Sequence, residues 1–154
     1  MTELEAAFDE HARFHPAESD VYEVTDLTFR AWVRPGPEPV LVAEVPTLDA
    51  VVEGETVAPV VEEGWFETLD RRLTDASGVV DGRAEAPTVT RSGETIRIEV
   101  PMTAEGDQAP GDAIAIATYI EGTWVEGIIP GYEYEEQVQS IRERAREAGG
   151  DGGA

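Results

Sequence analysis

Apolar residues along this chain recur at two spacings, and each spacing predicts a kind of element. Leu4, Ala7, Phe8 and Ala12 fall on one side of a helix. Thr2 and Glu5 have the spacing of a capping box, each satisfying a free backbone amide of the other, and Pro16 stops the run. A short strand is predicted over 21–25. After a turn at Asp26, Leu27, Phe29, Ala31 and Val33 alternate with other residues, which predicts a strand over 27–34 with one apolar face. A proline-rich loop leads to a third strand over 40–45, ended by Pro46, and Thr47 caps a short turn that Gly54 closes.

Further along, Val61, Trp65, Leu69 and Leu73 step by four from Pro59, a residue suited to a helix's first turn, and predict a helix over 59–73 with Phe66 beside its core face. Ile96, Ile98, Val100 and Met102 alternate with Thr95, Arg97 and Glu99, so 88–91 and 94–102 form a hairpin around Ser92-Gly93. The longest apolar run, 112–130, satisfies both periods. Ile114, Ile116, Thr118 and Ile120 alternate, whereas Ala113, Ile116, Ala117, Ile120, Trp124 and Ile128 step by three and four. Its length decides for a helix, with Asp112 as N-cap and a stop at Pro130-Gly131. Gly122 and Gly127 each cost about 1 kcal/mol relative to Ala in a helix and therefore mark close backbone contact. A final helix carries Val138, Ile141, Ala145 and Ala148, and the Gly-rich residues 149–154 are expected to be a disordered tail.

The predicted order is α-βββ-α-ββ-α-α in a single domain over 1–148. Strands joined by short connections are antiparallel, and their apolar face needs a cover. The expectation is an α+β fold, an antiparallel sheet of about five strands with helices packed on one face. That element order is similar to the type III secretion chaperone-like fold, also found in sensory-regulator-like bacterial proteins; the similarity transfers no residue roles. More locally, Val45-Pro-Thr-Leu-Asp-Ala50, Glu63-Gly-Trp-Phe-Glu-Thr-Leu-Asp-Arg-Arg-Leu73 and Glu121-Gly-Thr-Trp-Val-Glu-Gly-Ile-Ile-Pro-Gly-Tyr-Glu-Tyr134 resemble a haloarchaeal family of small uncharacterised proteins. The resemblance extends roughly from the first strand to Tyr134. It implies a salt-adapted cytoplasm and carries no known activity.

Charge changes this picture more than any other compositional feature. The 11 basic residues, all arginine, face 33 acidic ones, for a net charge of −22. Such an excess strains a compact fold through self-repulsion, and molar salt relieves it by shrinking the Debye length to about 3 Å. The 41% hydrophobic content with clear periodicity argues against a disordered acidic chain. With no cysteine, disulfides and thiolate metal sites are excluded. The start Met-Thr-Glu-Leu-Glu is unlike a secretory signal, and the central run is short and interrupted for a membrane span, so a soluble cytoplasmic protein is expected.

Candidate chemistry is sparse. Carboxylates are so frequent that pairs such as Glu62/Glu63 or Glu135/Glu136 carry no catalytic signal. His11 and His15 have a spacing that suits a metal, but Pro16 disfavours helical geometry at His15 and no third ligand is marked, so no metal site or cofactor is expected. Nucleic acid is disfavoured as a partner by the charge, and no membrane partner is indicated. One feature is unevenly distributed. Arg30, Trp32 and Arg34 share the outward face of the 27–34 strand, and Arg97 takes the corresponding face of 94–102. Arg and Trp are enriched at binding hot spots, which makes this face a candidate partner-binding surface. Glu23, Glu44 and Glu99, also outward, offer the competing reading of cross-strand pairing. The corner 129–134 is a second candidate, although its tyrosines suit a staple for the tail helix. The leading expectation is a non-enzymatic protein-interaction module, chaperone- or regulator-like, binding a protein partner or forming a homodimer. The alternative is a small-molecule-binding protein or enzyme with a pocket between sheet and helices. An acidic nucleic-acid mimic ranks third, because the charge is spread along the chain.

Overall fold

The computed structural model describes residues 3–17, 21–129, 132–136 and 138–144. Thr2 of the expected capping box, the Pro130-Gly131 stop, Ala145, Ala148 and the 149–154 tail lie outside the described residues. Helix α1 spans Glu3–Glu10, followed by strands β1 (Phe14–Pro16), β2 (Tyr22–Val24), β3 (Ala31–Arg34) and β4 (Val40–Pro46). Helices α2 (Leu48–Val51) and α3 (Pro59–Leu73), strands β5 (Thr88–Ser92) and β6 (Thr95–Pro101), and helix α4 (Ala109–Glu126) complete the named elements. A further helical segment occupies 138–144.

The fold is α+β. Among the described residues the sheet has six strands in the order β1-β2-β3-β4-β6-β5, and each neighbouring pair is antiparallel. Its centre is the long β4–β6 pairing, which sets Leu41 against Val100, Ala43 against Ile98 and Val45 against Ile96. All six are buried, because alternation along each strand sends them to the face that α3 and α4 cover. We call this the inner face. Trp124 of α4 is fully buried, and its indole Nε1 donates to the Pro46 carbonyl at 2.9 Å, which satisfies the one polar atom of the ring. Phe29 and Trp65 meet the same ring edge-on at 4.8 and 6.4 Å. Trp65, Leu69 and Leu73 are the buried stripe of α3, as their four-residue spacing requires. Thr47 caps α2 as its sequence position predicts, its hydroxyl accepting from the Ala50 amide.

Four expectations are corrected. The 27–34 strand begins only at Ala31. Asp26 sits in left-handed geometry (φ 64°), and the Thr28 amide donates to Glu121 Oε1 at 2.6 Å, so 27–29 leaves the ladder. The alternating Leu27 and Phe29 serve a loop packed on the core instead. Second, α1 ends at Glu10 and Ala12 is exposed outside it. Residues 14–16 then add an edge strand that the Pro16 stop had concealed; Phe8 stacks on Tyr22 and meets Phe14 edge-on behind it. Third, Asp112 is not the N-cap of α4. A 3-10 turn at Gly106–Gln108 leads straight into a helix starting at Ala109. Pro110 is tolerated in the first turn, where its missing N–H had no intrahelical partner to lose. Asp112 is instead buried and accepts from Arg83 Nε and Nη2 at 2.8 and 2.9 Å. Fourth, Gly122 marks no close contact, since a Cβ there would meet nothing within 4 Å; at Gly127 the Trp65 indole nitrogen would lie at 3.5 Å, an ordinary contact.

Candidate functional site

The face of the sheet opposite the helices carries the other half of each strand's alternation. Along one row Glu23 lies opposite Trp32, Trp32 opposite Val42 and Val42 opposite Glu99. In the next, Glu44 lies opposite Arg97, and the Arg30 carbonyl accepts from the Glu44 amide, which continues the ladder beyond the end of β3. Arg34 takes its place opposite Val40. Arg30, Trp32, Arg34 and Arg97 are therefore brought together on this outer face, although Arg30 itself precedes the strand.

Trp32 and Val42 are buried here, without a helix above them among the described residues. Arginine side chains supply the cover. The Arg30 guanidinium lies 4.9 Å from the centre of the Trp32 ring and that of Arg97 lies 5.6 Å away, distances at which a cation is attracted to the ring face. Long arginine stems can cover apolar surface while the charged head stays in water. Each of three arginines also meets a glutamate: Arg30 with Glu23 at 3.8 Å, Arg97 with Glu44 at 3.5 Å, and Arg34 hydrogen-bonded to Glu99. The cross-strand pairing weighed against a contact surface is thus formed. It leaves a distinctive arrangement, because the arginine side chains are 49–64% exposed and their glutamates only 27–33%. Positive heads stand outermost over sunken carboxylates, and the patch is neutral on a chain of net charge −22. A guanidinium has five N–H donors, so one carboxylate contact leaves donors facing solvent.

Parity along the strands reveals which arginines point outward. The burial of Val42 had a sequence signal too, since it is the apolar residue at an outward position between Leu41 and Ala43. The contact of Arg97 with the Trp32 ring depends on strand order and register and had none.

Elsewhere, a cavity of about 640 Å³ opens on the flank of α4, lined by Leu27, Thr28, Gly122, Val125, Ile141 and Arg144 among others. Arg144 Nη2 donates to Thr28 Oγ1 at 3.3 Å across its rim. Glu62 of α3 accepts from the Asp49 amide at 3.2 Å. Burial pushes its pKa above the ordinary carboxylate value, against the lowering effect of that amide. Burial likewise raises the Tyr134 phenol, whose hydroxyl donates to the Ile129 carbonyl and thereby ties the corner at 129–134. His11 Nδ1 accepts from the Arg13 amide at 3.2 Å, and His15 lies on β1 opposite Glu23. Among the described residues, no group of three or more His, Asp or Glu side chains gathers to hold a metal ion.

A family model matches residues 9–144, taking in the whole sheet and all four outer-face residues. The chain belongs to the family of unknown function DUF5813. No curated protein and no solved structure matches it. The DUF5813 match thus covers the outer face, the α4 cavity and the Arg83–Asp112 pair alike.

Proposed function

We propose that this DUF5813 protein is a non-enzymatic interaction module, chaperone- or regulator-like, that docks an acidic protein partner on the outer face of its sheet. The observation that carries this reading is the relief of the acidic excess at the patch, a neutral cluster in which exposed arginines surround a tryptophan on an otherwise strongly acidic chain. An acidic partner meets least repulsion there and finds unused guanidinium donors beside an aromatic ring. The net charge also supports a salt-rich cytosol as its setting, because the Debye length falls from about 30 Å at 0.01 M to about 3 Å at 1 M. It weighs equally against a phosphate-backbone ligand. Among the described residues no helix is long and apolar enough to cross a membrane.

The test is affinity capture at molar salt with the triple variant R30S/W32S/R34S, using R71S on the exposed side of α3 as control. Wild type and R71S should retain the same partner, and the triple variant should lose it while keeping its circular dichroism. Equal capture by the triple variant would sink the proposal. A small-molecule site is the second reading, favoured by the apolar floor of Leu27, Val125 and Ile141 in the α4 cavity. Gly122→Leu, built into open space, would block such a ligand without disturbing the outer face.

A further inference from the structure

The two edges of the sheet are finished differently. At β1, the Ala17 amide bonds to Val21 and the Thr25 amide to Arg13, so the odd-numbered residues face β2. The backbone groups of Phe14 and Pro16 therefore point away from β2. The Phe14 amide is already bonded to the His11 carbonyl, and Pro16 has no N–H to offer. This edge is blunt, with neither outward position presenting a free donor.

At β5 the opposite holds. Gly93-Glu94 is a two-residue hairpin loop with Gly93 at φ 61°, and Ser92 lies opposite Thr95 as the pair that closes it. Alternation from that pair sends Thr90 and Thr88 toward β6. The same phase follows from the far end of β6, where Pro101 accepts from Glu85 and the Thr103 amide donates to Arg83. The N–H and C=O groups of Val89 and Arg91 consequently point out of the sheet, and among the described residues no backbone group beyond the sheet bonds to them. Arg91 does not shield them. Its guanidinium is drawn back onto Phe66, 4.5 Å from the ring centre, and donates to Glu63 at 2.9 Å. Finally, Thr88–Ser92 carries an arginine and no carboxylate, in a chain with 33 acidic residues among 154.

We propose that a second copy of this chain adds to the sheet along β5, in antiparallel register about a two-fold axis at Thr90. Val89 then lies opposite Arg91 of the second copy, and the reciprocal pair forms by symmetry. Each of the two pairs exchanges both backbone hydrogen bonds. No like charges are set directly opposite each other, and a strand free of carboxylates lets two copies of so acidic a chain approach with little local repulsion. The axis stands perpendicular to the joined sheet, so the two outer faces end up on the same side. The pairing does not rest on the outer-face reading, and it uses none of the same residues.

Sedimentation velocity over a concentration series at molar salt provides the test, with V89P and T90K beside the wild type. Proline at 89 removes a donor that the single chain does not use, which an edge strand tolerates. Two donors vanish per dimer, worth about tenfold to a hundredfold in Kd. Thr90→Lys leaves the backbone intact and sets two ammonium groups face to face across the axis. The wild type should dimerise, both variants should weaken the dimer while keeping native circular dichroism, and the Val89 and Arg91 amides should exchange slowly only when dimeric. A monomeric wild type would overturn the proposal. So would a dimer that R30S/W32S/R34S dissolves and that V89P and T90K leave intact.

Discussion

The two faces of the sheet bury tryptophan in different ways. On the inner face Trp124 is enclosed by Phe29, Trp65 and the β4–β6 strands, and its nitrogen is bonded to Pro46. On the outer face Trp32 is roofed by the guanidinium groups of Arg30 and Arg97. The first enclosure is carbon against carbon between elements the backbone holds in place. The second is a set of long side chains, each with several rotatable bonds and a head in water. Burial in the two cases is similar by area and different in kind, since an arginine roof can swing aside for a partner and a packed helix cannot.

The sharpest way to break this comparison is to truncate both rings. Trp124→Ala should cost about 3–5 kcal/mol, the transfer term plus the cavity left in a wall that cannot collapse. Against a typical total of about 5–15 kcal/mol, that variant sits near the edge of folding. Trp32→Ala should cost about 1–2 kcal/mol, in the ordinary range for a substitution whose surroundings can relax, since the arginine heads fall back toward water. Urea unfolding at fixed salt measures both. Equal losses would mean that the roof is as rigid as the core.

Much of the inner face was legible in the sequence, and for a physical reason. Ile96, Ile98 and Val100 alternate because one side of β6 is dry, and Trp65, Leu69 and Leu73 step by four because one side of α3 is. A period of this kind reports burial, however, without reporting the ladder. Leu27 and Phe29 show the same alternation as Ala31 and Val33, but Asp26 and the Thr28–Glu121 bond pull them into a loop. Three-residue β1 is too short to show any period and contains a proline. Asp112 has the composition of a cap, and only the tertiary partner Arg83 explains why it is buried. On the outer face, parity alone brings out Arg30, Trp32, Arg34 and Arg97. Which glutamate each arginine meets depends on strand order, as with Arg34 on β3 reaching across β4 to Glu99 on β6.

Ion pairs sharpen the same contrast. Arg34 is half exposed and Glu99 one-third exposed, so solvent still screens the pair, and Arg34→Ala should change stability by less than about 1 kcal/mol, and by still less as salt rises to molar concentration. Arg83→Met leaves the buried Asp112 carboxylate with its main partner gone, a larger loss that salt screens weakly. Unfolding of the two variants across a salt series separates them. A loss on Arg83→Met that fades with salt as steeply as that of Arg34→Ala would place Asp112 in water rather than in the core.

The smallest effect concerns a carboxylate on the helix side, where the attraction of Arg91 is outweighed by burial. Glu62 has a raised pKa chiefly because burial disfavours its charged form, and the neighbouring Asp49 charge adds to this. The folded state therefore holds the Glu62 proton more tightly than the unfolded chain does. Its contribution favours folding below the unfolded carboxylate pKa and is lost as pH rises through the raised folded value. Glu62→Gln removes the ionisation while keeping an oxygen to accept from the Asp49 amide. The variant should show a slightly higher Tm than wild type at pH 7 and no advantage at pH 4, where wild-type Glu62 is itself largely neutral. On the outer face, Glu99→Gln should bring no gain in Tm at pH 7, because that carboxylate's charge is matched by Arg34. If both substitutions raised Tm at pH 7 by the same amount, general relief of the −22 charge would account for it, and the distinction between a buried carboxylate and a paired one would fall.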